Sequence, residues 1–333
     1  MRVVFSDSSL DPYFNLASEQ YMLEGYGDVF MLWRNGKSVI IGKNQNAYSE
    51  VNIPFCEKNK IRVARRLTGG GAVFHDEGNV NFSFITDSDG RGINFKRFLA
   101  PVADALADFG INAEINGRND LVCDGFNISG NAQCVYTAPG GRKRLLHHGT
   151  LLFSADVAKM SGSLNVSREK LEAKGIKSVS SRVKNISLFK SYSGPADPSG
   201  FADGVCSFAE KKFGTARNGV SESEKADISR IAEEKFATWE WIYGKSNACT
   251  DTVRRRFGYG TVEIGFTALH GVIEKIKIYG DFFGERDISG LETALSGCRL
   301  VREDLEKACA DAGRFIHGAS PEDIAGLIIG SGC

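Results

Sequence analysis

The sequence predicts an α+β protein with two parts: a large N-terminal domain of mixed, mainly antiparallel sheets with flanking helices, and a small α+β C-terminal accessory domain. Three observations carry this. Short apolar strands and amphipathic helices alternate irregularly, not in the strict βαβ repeat of a doubly wound parallel sheet. Gly-, Asn- and Asp-rich turns separate most of the strands. A polar stretch at 244–250 follows the closely spaced Trp239 and Trp241, which puts a boundary near 245 and divides the 333 residues into 1–244 and 245–333.

Along the chain, residues 2–5 read as a strand, and Asp11 and Pro12 supply a cap and a first-turn proline for a helix over 13–23. Strands at 29–33 and 38–41 flank Arg34-Asn35-Gly36-Lys37, and Asn-Gly predicts that they pair as a hairpin. A helix over 48–59 comes next. The stretch 62–85, RVARRLTGGGAVFHDEGNVNFSFI, then places three glycines, 69–71, in a loop between strands, and 79–86 alternates like a half-buried strand. Phe98, Leu99, Val102, Leu106 and Phe109 fall near helical spacing within 96–109, with Gly110 just past the end. Short strands occupy 113–115, 121–123, 126–133 and 145–153, with a basic hairpin tip, TAPGGRKR, at 137–144. The Lys-, Arg- and Ser-rich run 164–183 reads as an extended surface connector. Helices are expected at 201–213 and 223–235. In the C-terminal part, 260–266 and 272–279 are strands and 288–295, 302–312 and 321–327 helices; its polar residues do not cluster enough to hold chemistry alone.

Composition narrows the function classes. With 41 basic and 41 acidic residues the formal net charge is zero, so no global field draws in nucleic acid or a membrane surface. Eight scattered cysteines lack C-x-x-C and zinc-ligand spacing, which fits free thiols in a reducing cytoplasm. No window reaches the roughly 18 apolar residues of a membrane span, and the N-terminus lacks a signal pattern. Expected partners are therefore neither nucleic acid nor membrane.

Arg65 and Arg66 lead into the glycines, and such a loop lets backbone N–H groups approach an anion while arginines supply charge. The stretch is neither a Walker A motif nor G-x-G-x-x-G, and on these residues alone a plain loop entering a strand stays an open alternative. His147 and His148 point to opposite faces of a strand, one toward core or pocket and one outward, so they do not chelate one metal.

RRLTGGGAVFHD with GNVNFSF, together with WRNG and IGKNQNA within 33–47, GRNDLV at 117–122, SGNAQ at 129–133, HHGTLL at 147–152 and AKGIKSVSSRV at 173–183, closely resembles the lipoate-protein ligase family. The resemblance implies a biotin-ligase-like catalytic domain and a small C-terminal domain that reorients. It implies activation of lipoate with ATP and Mg²⁺ to lipoyl-AMP, then transfer to a lysine of lipoyl domains of 2-oxo acid dehydrogenase acyltransferase subunits or of glycine-cleavage H protein. By the same resemblance, Arg66, Gly71, Ala72, Val73, Phe74, Asp120 and Asn127 belong to the nucleotide site, with Phe74 and His75 at the seam between nucleotide and acyl chain. Trp33, Gly70, His75, Asn127 and His148 belong to the lipoate site, and Asp120 to Mg²⁺.

One position departs from the family pattern. The lysine two residues ahead of the serine in S-G-x-A, which contacts the lipoate carboxylate and the α-phosphate, is here Asn127. Losing such a charged contact typically costs about 2 to 4 kcal/mol of transition-state stabilisation, roughly 30- to 1,000-fold in rate. Adenylation is thus expected to be impaired or altered, with Arg142 or Lys143 as candidate substitutes. The alternatives are a non-catalytic binder of lipoyl-AMP or a lipoyl domain, and an ATP-independent octanoyl or lipoyl transferase using Cys123 or Cys134.

Overall fold

The structure is a computed structural model, described here for residues 1–6, 9–90, 92–116, 119–165, 183–244 and 251–330. Most of the connector expected over 164–183 and the linker after residue 244 lie outside the described residues, as do Gly117 and Arg118.

Eight strands form the main sheet: β1 (Arg2–Ser6), β2 (Val29–Arg34), β6 (Asn79–Asp87), β7 (Glu114–Asn116), β8 (Asp120–Cys123), β9 (Phe126–Thr137), β10 (Lys143–Leu152) and β11 (Arg217–Asn218), in the order β11-β1-β2-β6-β10-β9-β8-β7. β1 runs parallel to both neighbours and the remaining pairs are antiparallel. A second sheet has β3 (Ser38–Ile41) between β4 (Arg62–Arg65), which is parallel to it, and β5 (Val73–His75), which is antiparallel. Near the C-terminus β12 (Asp251–Phe257), β13 (Gly260–Leu269) and β14 (Val272–Gly280) form an antiparallel meander.

The central strands β2, β6 and β10 are buried on both faces, and alternation along them divides their side chains between two cores. In β2, Phe30 and Leu32 join Phe98 and Val102 of the helix Phe95–Ala107 and Val205 of the helix Pro198–Phe213. Met31 and Trp33 join Leu16 and Leu23 of the helix Pro12–Gly25, and Ile40 of β3. Asp11 caps that helix by accepting from the Tyr13 and Phe14 amides, with Pro12 at its start. The C-terminal meander has its own core, including Ile264, Ile276, Leu291, Leu305 and Ile324. Phe283, just after β14, sits instead in the core of the main sheet, with its ring 5.3 Å from that of Phe95.

Several expectations change. β2 and β3 do not form a hairpin: they belong to different sheets, because the Asn35 side chain is buried in the turn and bonded to Asn15 (2.9 Å) and His75 (3.1 Å). The helix over 48–59 is two short helices, Ala47–Glu50 and Ile53–Lys58, broken where Asn52 caps the Phe55 amide and Pro54 enters the first turn. β12 has no counterpart in the sequence reading.

His147 does not face outward; neither histidine of the pair does, since both faces of β10 are covered. The His147 ring stacks on Phe98 (centroids 4.9 Å apart), and its nitrogens have no hydrogen-bond partner among the described residues. Burial holds its pKa well below the usual 6.5, followed by the influence of His148. A depressed base binds its proton in the unfolded chain first, so folding loses stability as pH falls below 6.5, by about 1.4 kcal/mol per pH unit. Denaturant unfolding at pH 7, 6 and 5 is therefore expected to show a shallower acid-side decline for His147→Leu than for the unaltered protein; equal slopes contradict this account.

Candidate active site

The site is built on two buried arginines at the end of β4. Arg65 is fully buried, and among the described residues its guanidinium bonds to backbone carbonyls: Gly42 (2.9 Å), Lys43 (3.1 Å), Gln45 (2.6 Å), Trp241 (2.9 Å) and Ile242 (2.5 Å). Arg66 donates to the carbonyls of Ile40 (3.0 Å), Gly69 (2.7 Å) and Gly71 (2.8 Å), and from Nε to Thr68 Oγ1 (3.0 Å). Burial, more than any neighbour, pushes both guanidinium pKa values down to about 10. The fork of donors on each arginine holds the loop from within.

The glycines answer to the C-terminal domain. A Cβ on Gly69 would lie 2.2 Å from the Phe282 carbonyl oxygen. Gly70 has φ +87°, and its amide donates to that same oxygen (3.2 Å). The Gly280 amide donates to Asn44 O (2.9 Å) beside this seam.

Between this loop, the main sheet and the C-terminal domain lies a cavity of about 390 Å³. Strand register builds its floor: Trp33 of β2 pairs with Asn81 of β6, which pairs with Thr150 of β10. Leu16, Ile40 and Val73 add apolar wall, whereas Asp120, Asn127 and Asn131 make the other side polar. The β8–β9 turn, Asp124-Gly125, has positive φ at both residues and sets Asn127 opposite Val122. Asn127 Nδ2 donates to Asp120 Oδ2 (3.1 Å), and Asn119 and Asn131 exchange amide-to-carbonyl bonds of 2.6 and 2.9 Å that fasten this corner.

A buried chain of hydrogen bonds orients the walls. Trp33 Nε1 donates to Ser83 Oγ (2.9 Å), and Ser83 donates to Glu19 Oε1 (2.6 Å). Thr68 Oγ1, which accepts from Arg66, lies 2.7 Å from His148 Nε2, and His148 Nδ1–H donates to the same Glu19 oxygen (2.8 Å). Asn15 donates to Asn35 Oδ1, so Asn35 Nδ2 is the donor to His75 Nδ1 and the His75 proton sits on Nε2, which has no partner among the described residues. Burial, then Arg66 and His148, hold the His75 pKa down to about 3. His75 is a neutral N–H donor at the cavity wall, not a base.

Of the residues singled out from the sequence, Trp33, Arg66, Gly70, Gly71, Ala72, Val73, His75, Asp120, Asn127 and His148 all line this cavity. Phe74 does not: β5 alternates, so its side chain turns away into a core with Val39 and Ile41. Arg142 and Lys143 cannot stand in for a cation at Asn127. Lys143 pairs with Thr137, ten residues further along β9, about 30 Å away at strand rise. Arg142 is bidentate on Asp87 (2.7 and 2.8 Å). Lys184 donates its amide to Asn127 O, but its ammonium lies 4.1 Å over the Phe189 ring. Sequence reasoning missed Arg256, Asp281 and Phe283, which bring the C-terminal domain into the cavity. The run Arg254-Arg255-Arg256 was the available signal for the first of these.

Fold and site define a class: a sheet domain whose glycine loop, closed by a small C-terminal domain, bounds a cavity half apolar and half polar. The lipoyl protein ligase A/B catalytic domain matches residues 11–197, and the bacterial lipoate protein ligase C-terminus matches 246–328. The chain belongs to the lipoyl protein ligase A/B family. It is 37% identical over 315 residues to lipoate-protein ligase 1 of Staphylococcus aureus, covering 93% of this chain and 94% of the relative. It is 40% identical over 302 residues to lipoate-protein ligase LplJ of Bacillus subtilis, covering 88% of each. In structure it is similar to P. falciparum LipL1 in complex with lipoate (TM-score 0.76, 23% identity, 99% of this chain and 100% of that one). It is also similar to a chain from the structural analysis of an archaeal lipoylation system, a bipartite lipoate protein ligase and its E2 lipoyl domain from Thermoplasma acidophilum (TM-score 0.63, 26% identity, 75% and 100%).

Gly69→Ala is expected to push the C-terminal domain off the loop, speeding hydrogen exchange at the Gly70 and Gly280 amides by about tenfold or more. Gly71→Ala, whose added Cβ meets nothing nearer than 3.9 Å, is the control and should leave both amides protected. Unchanged exchange in the first variant contradicts the assignment.

Proposed function

We propose that this chain is an ATP-dependent lipoate-protein ligase, which activates lipoate to lipoyl-AMP and passes the lipoyl group to a lysine of a lipoyl domain. The acceptors are the acyltransferase subunits of 2-oxo acid dehydrogenases or glycine-cleavage H protein. The observation that carries this reading is the cavity itself, apolar at Leu16, Trp33, Ile40 and Val73 and polar at Asp120, Asn127 and Asn131, in a chain of this family. An acyl chain suits the first wall and a carboxylate beside a nucleotide the second.

His75 Nε2–H and the buried Asn81 amide, whose Nδ2 has no partner among the described residues, are donors at the cavity, available to substrate oxygens. Gly71, Ala72 and Val73 contribute backbone to the nucleotide site, while Arg66 acts mainly by shaping their loop. Among the described residues no three His, Cys, Asp or Glu side chains group as a metal site. Mg²⁺ is commonly held by one or two carboxylates plus substrate phosphates, and Asp120 fits as that carboxylate. When bound, the ion neutralises phosphate charge. The division into 1–244 and 245–333 is part of the proposal, supported by the separate core of the C-terminal meander. So is a cytoplasmic setting, supported by the unbridged state of the six described cysteines; among the described residues, no helix is long and apolar enough to cross a membrane.

A second reading, a homologue that binds lipoyl-AMP or a lipoyl domain without catalysis, rests on Asn127, which is bonded to Asp120 and carries no charge. The thiol-dependent transferase is disfavoured. Burial raises the Cys123 pKa and pushes that of Cys134 up to about 12, so neither offers a thiolate near neutral pH.

With lipoate, Mg²⁺, ATP and an apo lipoyl domain, the protein should add one lipoyl group to the acceptor lysine, read by mass. Asn127→Lys should raise ATP–pyrophosphate exchange by about tenfold or more. Lipoyl-AMP binding without any ligation, even in that variant, selects the binder instead.

A further inference from the structure

The two arginines at the cavity are held very differently. Arg66 is buried, and its bonds to Ile40, Gly69, Gly71 and Thr68 make it part of the loop. Arg256 enters from β12, with 28% of its side chain exposed. Its Nη1 donates to Thr261 Oγ1 (3.0 Å) and lies 3.7 Å from Asp281 Oδ2, while among the described residues Nε and Nη2 engage no partner. Asp281 is itself anchored, because its Oδ1 accepts the Thr261 amide (2.5 Å). The neighbouring arginines are directed elsewhere: Arg254 lies between Glu263 (3.2 Å) and Glu50 (3.6 Å), and Arg255 over the Phe257 ring (5.3 Å). Arg256 is thus a guanidinium at the cavity edge with donors to offer.

We propose that Arg256 is a catalytic residue of the adenylation step, its guanidinium meeting the substrate carboxylate and the α-phosphate that must come together in this cavity. The inference rests on the ligase reading above. In the step, a carboxylate oxygen forms a bond to the α-phosphorus while the bond from that phosphorus to the oxygen bridging the β-phosphate breaks. The electron pair leaves on pyrophosphate, and no proton changes hands. Both reactants are anions, so their approach needs positive charge between them. Neutral Asn127 and neutral His75 do not supply it, and the Arg66 donors are directed into the loop. A guanidinium fork bridges two oxyanions better than a point charge does. Loose retention by Thr261 and Asp281 lets Arg256 turn toward the phosphate with little loss.

The test measures lipoate-dependent ATP–pyrophosphate exchange, and separately lipoyl transfer from supplied lipoyl-AMP to an apo lipoyl domain, with thermal midpoints as a folding control. Arg256→Ala should lower exchange by about 100-fold, with a far smaller effect on transfer. Arg256→Lys should retain part of the exchange, and adding Asn127→Lys to Arg256→Ala should restore at least about tenfold, because charge and not shape is what was removed. Arg256→Ala exchanging at the unaltered rate, or losing exchange and transfer equally, overturns the inference and leaves the ligase reading intact. No exchange in the unaltered protein overturns both.

Discussion

Two guanidinium groups buried on backbone carbonyls are the constraint from which the site follows. Placing a charge in the interior costs several kcal/mol unless it is hydrogen-bonded, and a neutral carbonyl cage supplies that without a counter-ion. Arg65 gathers carbonyls from residues 42–45 and from the helix Trp239–Ile242, so one side chain joins the second sheet, the loop after β3 and the last helix of the N-terminal domain. Trp241 returns the tie by donating Nε1 to Arg65 O (2.8 Å). Arg66 does the same within the glycine loop and continues through Thr68, His148 and Glu19 to Ser83 and Trp33. A lysine, with three donors on a single nitrogen, cannot hold the five carbonyls that Arg65 gathers. Cavity walls contributed by separate elements are therefore fixed relative to one another before any ligand arrives.

This changes what the glycine triplet means. Bare glycines beside two arginines read as a loop waiting for an anion, yet both arginines are directed inward, and Gly69 and Gly70 are shaped by the Phe282 carbonyl packed against them. The loop is as much a seat for the C-terminal domain as a wall of the cavity. Only Gly71, open on the cavity side, keeps the character that the sequence suggests.

What was legible in the sequence was local. Alternation and turn chemistry located most strands, and the motifs around Trp33, Gly70, His75, Asp120 and His148 named residues that the fold does bring together. What was not legible depended on partners far along the chain. Asn35-Gly36 is a sound hairpin signal, but a buried amide bonded to Asn15 and His75 overrode it. Alternation in β5 assigns Phe74 to one face without saying which face meets the cavity. Two histidines on opposite faces suggest one exposed ring only if the sheet is covered on one side, and at β10 it is covered on both. Arg256 lies 190 residues in sequence beyond Arg66, and only the docked domain makes them neighbours of one cavity.

Carrying the working charge on Arg256 has a structural consequence. A cation at position 127 would sit on a strand of the main sheet, held by the β8–β9 hairpin whatever the C-terminal domain does. Arg256 is present only while that domain is docked, so the contacts at the seam become part of the site. The Lys43–Asp287 pair (2.6 Å) is partly exposed, and such pairs are worth about 0 to 1 kcal/mol. The firmer ties are the Gly70 and Gly280 amide bonds and the Phe283 ring, buried against Phe95 in the main core. Burying a phenylalanine side chain contributes about 1.5 to 3 kcal/mol, more than the ion pair. Phe283 and Arg256 both line the cavity, so the residue that anchors the domain and the residue that supplies charge enter the site together.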